Sequence, residues 1–147
     1  MKIGIFGSRS LTGKKSYKFI EREIKEFCKR NKVDFILLPG DIKGVCSSAL
    51  KIVSKMMIPT TLYFYDKSSS GKWNMINSIK ERTLEIIDKA DYFLIFHDGE
   101  SKGTLWDLER VIRARKHYKY FKVKKEEDLE NMFNIEEYML DFDKGDL

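Results

Sequence analysis

Three short segments carry side chains able to hold an anion or move a proton. The first is Gly7-Ser8-Arg9-Ser10. Small residues let the backbone approach a ligand, and two hydroxyls beside an arginine can bind phosphate. The second is Pro39-Gly40-Asp41-Ile42-Lys43-Gly44, just ahead of an apolar helical segment. Glycines there can leave backbone N–H groups facing an anion. Asp41 either accepts from a ribose hydroxyl or initiates the turn, and the turn is the simpler reading. The third is His97-Asp98-Gly99-Glu100-Ser101-Lys102-Gly103-Thr104. Its Ser101-Lys102-Gly103-Thr104 leads into a helix, a good arrangement for anion binding. His97 could transfer a proton, but a lone histidine at a strand end is more often only a satisfied polar residue. Thr104-x-x-Asp107 also fits a loose capping box with Asp in place of Glu, which gives Asp107 a purely structural reading. A P-loop is excluded, because five residues separate Gly7 from Gly13 and Lys15 stands where Ser or Thr is required. The dinucleotide motif G-x-G-x-x-G is absent as well.

Each of these segments follows an apolar run. Strands are predicted over 2–6, 34–38, 60–65, 92–96 and 118–123, where the residues are apolar, β-branched or aromatic. Between them, helical spacing of apolar residues predicts helices over 14–30, 45–57, 75–90 and 104–116, with a polar loop over 66–74. Strands without polar alternation are covered on both faces, as a parallel sheet requires. The expected fold is therefore α/β: a Rossmann-like, doubly wound, mostly parallel five-stranded sheet with helices on both faces. Ligands in such folds bind beyond the C-terminal ends of the strands, where the three segments lie.

Composition sets the wider bounds. At 147 residues, 42% hydrophobic and 35% charged, the chain suits one soluble domain. No apolar run reaches the length of a membrane span, and the N-terminus is too short in apolar residues for a signal peptide. Two cysteines and two histidines form no metal-ligand pattern. A cytoplasmic protein with no metal, no cofactor and no membrane partner is expected. The net charge of +5 is uneven. Residues 126–147 hold nine acidic residues and one lysine, which leaves +13 on residues 1–125. A basic body suits a phosphate-bearing ligand or nucleic acid, although lysines on solvated helix faces account for most of it. Residues 1–125 read as one domain and 126–147 as its acidic helical extension. In that extension Ile135, Tyr138, Met139 and Phe142 form an apolar stripe that needs a cover, so a homo-oligomer is expected.

Taken in order, Gly7-Ser8-Arg9, the Pro39-Gly40-Asp41-x-x-Gly44 turn, Arg82 and Ser101-x-Gly103-Thr104 resemble the SLOG superfamily. That superfamily includes the Lonely-Guy phosphoribohydrolases and the Rossmann core of the DNA-processing protein DprA. The resemblance covers residues 1–123 and runs nearest to small bacterial and phage SLOG proteins of uncharacterised function. It implies phosphate binding by Gly7, Ser8, Arg9, Ser10, Gly40, Asp41, Gly44, Arg82, Ser101, Gly103 and Thr104. Glu81-Arg82-Thr83 and Ser101-Lys102-Gly103-Thr104-Leu105-Trp106-Asp107 also resemble the Glu-Arg-Lys and Gly-Gly-x-Gly-Thr-x-x-Glu motifs of the Lonely-Guy enzymes. Those enzymes cleave the N-glycosidic bond of nucleoside 5′-monophosphates. Here Thr83 replaces the lysine, the paired glycines are missing, and Asp107 replaces the catalytic glutamate with a shorter side chain.

The resemblance thus implies a module that senses or sequesters a nucleotide-derived ligand, such as an ADP-ribose or cyclic-nucleotide derivative. An N-glycosidase using Arg82 and Asp107 is the alternative, and DprA-like nucleic-acid binding a third. Without the resemblance, Arg82 reads as part of the charge pattern of an exposed helix face, with Lys80, Glu81 and Glu85. Arg9 and Arg82 are both expected at polar edges rather than in the core.

Overall fold

The computed structural model describes residues 1–66 and 71–126. Within them strands and helices alternate: β1 (Lys2–Gly7), α1 (Lys14–Arg30), β2 (Phe35–Pro39), α2 (Val45–Lys55), β3 (Thr60–Tyr63), α3 (Lys72–Lys89), β4 (Tyr92–His97), α4 (Lys102–Arg113) and β5 (His117–Lys122). The strands form one sheet in the order β3-β2-β1-β4-β5, and every neighbouring pair is parallel. This is a Rossmann-like, doubly wound α/β fold. The chain winds outward from β1 to β3, then returns to lay β4 against the other side of β1.

Side-chain alternation along the strands builds two cores. On one face, Ile3 and Ile5 of β1 meet Ile20, Ile24 and Phe27 of α1 and Ala49 and Ile52 of α2. On the other, Phe6, Phe93 and Ile95 meet Ile86 and Ile87 of α3 and Val111 of α4. The α1 residues lie four and three positions apart, the spacing that puts them on one helical stripe. Each fully buried Ile, Leu or Phe contributes about 1.5–3 kcal/mol of transfer free energy, and both layers are filled with them. Phe6 and Phe93 stack at 5.5 Å across the β1–β4 pair. No helix among the described residues is long and apolar enough to cross a membrane.

The loop expected over 66–74 is shorter than its composition suggests. Lys72 and Trp73 form the first turn of α3 instead. Likewise α4 starts at Lys102, two residues before the expected Thr104. The apolar stripe Ile135, Tyr138, Met139 and Phe142 lies outside the described residues, as does all of the acidic extension after Glu126.

Two glycines let α2 approach the end of β1. A Cβ on Gly7 would overlap the Val45 side chain at 2.4 Å. Gly44 sits at φ +73° as the N-cap of α2, and its missing Cβ would lie 2.5 Å from Arg9 Cα and Ser8 O. The Val45 amide, next in the chain, donates to Ser8 O at 3.3 Å. Gly44→Ala therefore combines a left-handed backbone penalty with a clash against backbone. It is expected to lower stability by roughly 2–5 kcal/mol, measured by urea unfolding.

Candidate functional site

The ends of β1, β2 and β4 converge with α3 and the start of α4 around one cleft of about 380 Å³. Nine of the twelve residues singled out from the sequence line it: Gly7, Arg9, Ser10, Asp41, Arg82, Ser101, Gly103, Thr104 and Asp107. Ser8, Gly40 and Gly44 do not. Gly40 lines a smaller neighbouring pocket with Arg9, Asp41 and Tyr65. The cleft opens beside β1 and β4, where the winding direction reverses and the connections diverge to opposite sides.

Ser8 and Thr104 serve the frame of the cleft. Both are buried, and their hydroxyls bond to each other at 3.0 Å. The Ser8 hydroxyl also accepts from the Asp98 amide at 3.1 Å. One small side chain thereby joins the ends of β1 and β4 to the first turn of α4. Gly44 belongs to the same frame, pressed against the backbone of Arg9.

Asp98 sets where α4 begins. Its Oδ1 accepts from the backbone amides of Glu100 at 2.8 Å and Ser101 at 2.7 Å, while Oδ2 accepts from the Ser10 hydroxyl at 2.5 Å. Burial pushes this carboxyl up. The Ser10 hydroxyl, the two amides and the nearby Lys125 charge outweigh burial and hold it at about 2. His97 braces the same turn from behind: Nε2 donates to the Ser101 carbonyl at 2.9 Å, and Nδ1 faces the Tyr120 hydroxyl at 2.7 Å. A carbonyl can only accept, so the proton sits on Nε2. Sequence reasoning passed over Asp98, although an aspartate two and three residues before Glu100 and Ser101 matches a side chain that bonds its own following backbone.

The capping box across Thr104 and Asp107 is not formed. Ser101 is the N-cap of α4, and its side chain accepts from the Thr104 amide at 3.5 Å. Asp107 lies in the second turn, too far along to cap anything, and lines the cleft instead. Its carboxyl is half-buried. Burial raises it to about 7, the Arg82 charge pulls it down and the Asp41 charge pushes it up. A carboxyl that titrates near neutrality is able to hold or accept a proton at the cleft wall.

Arg82 is not the surface residue that its charged neighbours suggest. Only 5% of its side chain is exposed. Its Nη1 donates to Asp41 Oδ1 at 3.1 Å, and its guanidinium lies 5.3 Å from the centre of the Tyr65 ring. Its buried Nε has no hydrogen-bond partner. Arg9 donates to the same Asp41 oxygen at 3.2 Å from a side chain that is 59% exposed. Asp41 is thus more than a turn residue: it joins one buried guanidinium to one exposed to solvent. Ile79 and Thr83, one turn of α3 around Arg82, complete the wall.

No known protein family, curated protein or solved structure matches this chain.

Two outcomes follow. Arg82→Ala removes the buried partner of Asp41 and leaves Arg9 beside it, so it is expected to cost about 1–3 kcal/mol in urea unfolding. Arg9→Ala, at an exposed side chain, should stay within about 1 kcal/mol. The second concerns pH. Asp107 is raised in the folded chain, so between about pH 4 and pH 7 the folded chain holds a proton that the unfolded chain has lost. Stability contributed by the protonated group then falls as pH rises through that window. Asp107→Asn removes the dependence, so the variant's advantage over the wild type should widen from pH 4 to 7 and level off above it.

Proposed function

We propose that this chain binds a nucleotide or nucleotide-derived ligand, such as an ADP-ribose or cyclic-nucleotide derivative, in the cleft at the C-terminal edge of the sheet. It would sense or sequester that ligand. One observation carries this reading: Arg9, Arg82, Asp41 and the start of α4 come from four separate stretches of sequence and line a single cleft. At about 380 Å³ the cleft falls within the roughly 300–1,000 Å³ typical of small-molecule sites. Arg9 is exposed enough to turn from Asp41 to a phosphate, and the open space over Gly103 lets an anion approach the first turn of α4. Arg82, held by Asp41, keeps positive charge in the wall without needing to move. Asp41 and Asp107 are the acceptors available to ribose hydroxyls.

Asp107 favours a second reading, hydrolysis of an N-glycosidic bond. In that reaction the C1′–N bond breaks with its electron pair leaving on the base, and positive charge grows on the ribose. Ionised Asp107 would stabilise that charge and take a proton from the attacking water, while the departing base gains a proton from solvent. A group raised to about 7 is present in both forms at neutral pH, as such a step needs.

Mass spectrometry of small molecules released on heating the purified protein, followed by calorimetric titration, tests the first reading. Arg9→Ala should weaken binding of a nucleoside phosphate by about 1.5–3 kcal/mol. A chain that releases nothing and binds no nucleoside phosphate would overturn it. Chromatography of nucleoside monophosphates incubated with the protein tests the second. Free base should appear with the wild type and vanish with Asp107→Asn while affinity stays within a few-fold.

A further inference from the structure

Beyond Asp107 the polar cleft continues into a second pocket of about 420 Å³. The two share Ile79, Thr83, Gly103 and Asp107 as a common wall. The character changes across that wall. The polar cleft holds Arg9, Ser10 and Asp98, whereas the second pocket is mostly apolar surface from Ile76, Ile79 and Trp106. Trp106 precedes Asp107 in α4, so one helical step turns from a ring on the apolar side to a carboxyl on the boundary.

Two cations pack on the ring, and one of them lines the pocket with it. The Arg110 guanidinium packs 4.9 Å from its centre and does not line the pocket. Lys80, whose ammonium lies 5.4 Å from the same ring, is exposed and lines the pocket, so it can swing aside into solvent.

We propose that the apolar pocket takes the planar base of a nucleoside 5′-phosphate, stacked on Trp106, with the phosphate in the polar cleft and the glycosidic bond passing Asp107. This rests on the nucleotide-binding reading and deepens it. The occupant must be apolar and flat where it meets Trp106, yet polar where it passes Asp107 and anionic where it reaches Arg9. A nucleoside phosphate has those three parts in that order.

Fluorescence titration in a Trp73→Phe background makes Trp106 the only reporter, since the chain has two tryptophans. Trp73 is 75% exposed and outside the pocket. The probes are ribose 5-phosphate and carbocyclic adenosine monophosphate, in which carbon replaces the ribose ring oxygen so that no oxocarbenium ion can form. The nucleotide should quench Trp106 and ribose 5-phosphate should not. In calorimetry, Trp106→Ala should weaken the nucleotide by about tenfold or more and leave ribose 5-phosphate unchanged, while Trp106→Phe retains most of the affinity. Arg9→Ala should weaken both probes.

Unchanged nucleotide affinity in Trp106→Ala, with Arg9 still required, overturns the base pocket and leaves phosphate binding standing. Equal loss of both probes in Trp106→Ala overturns it as well, because the ring would then only support the fold. Binding of neither probe by the unsubstituted chain overturns the base pocket, and the nucleotide reading then stands or falls on the released-ligand test above. Trp106 emission that follows protein concentration and ignores the nucleotide assigns the pocket to a second copy and overturns the proposal.

Discussion

The molecule depends on the reversal of winding between β1 and β4. Right-handed crossovers send the first two helices to one face and the last two to the other. Where the two directions part, no connection crosses the C-terminal edge of the sheet, and a crevice opens there. Its existence needs no special residue. Its chemistry is then decided by whatever lies immediately after β1, β2 and β4, and by the faces that α3 and α4 turn inward. In this chain those positions hold an arginine, two aspartates and two serines from the loops, and Arg82 and Asp107 from the helices.

The charges of the cleft are arranged unequally. Arg82 is buried and needs a partner, and Asp41 supplies it. Because Asp41 also engages Arg9, two cations share one carboxylate, and Asp107 is left with no guanidinium of its own. A buried ion pair is a weak source of stability, since desolvation of both groups offsets most of their attraction. Keeping one here makes sense chiefly as a way to hold positive charge at the wall of an otherwise apolar layer. The unpartnered Arg82 Nε points the same way: the side chain is placed for its position and not for the completeness of its hydrogen bonds. Asp98 and Asp107 show the other half of this logic. Both are carboxyls of one cleft, yet the amides and hydroxyl around Asp98 hold it ionised while burial keeps Asp107 near neutrality. Environments that push two like groups apart are characteristic of functional sites.

The sheet and its helices were legible because period and composition report burial directly, and the three inner strands β1, β2 and β4 are apolar on both faces. Helix ends were less so. α2 and α4 stop at Lys55 and Arg113, two to three residues before their apolar spacing runs out. The left-handed residues that end them are Met57 and Arg115, at φ 58° and 57°, where glycine would have announced the stop. The start of α4 was misread for a related reason. Ser101 and Thr104 are both good caps, and only the bonds from Asp98 to the Glu100 and Ser101 amides decide between them. Among the site residues, Arg9 and Ser10 were legible from their place after β1. The burial of Arg82 was not, because its sequence neighbours are charged and its partner lies 41 residues away. Long-range pairing leaves no local mark.

That misreading bears on the chemistry. Had α4 begun at Thr104, Asp107 would sit in its first turn, where a carboxylate is stabilised by free amides and the helix dipole and stays ionised. Starting the helix at Lys102 moves Asp107 into the second turn, where the amides are already bonded within the helix and the dipole has faded. There it lines the cleft beside Ile79, Arg82 and Thr83 of α3. In that position burial outweighs the Arg82 charge and raises the carboxyl to about 7. Asp98 holds the backbone where the helix begins, with the Ser10 hydroxyl on its other oxygen and His97 behind the Ser101 carbonyl. One carboxyl of this cleft is thus committed to holding the backbone and stays ionised, and the other, free of that task, is raised by burial.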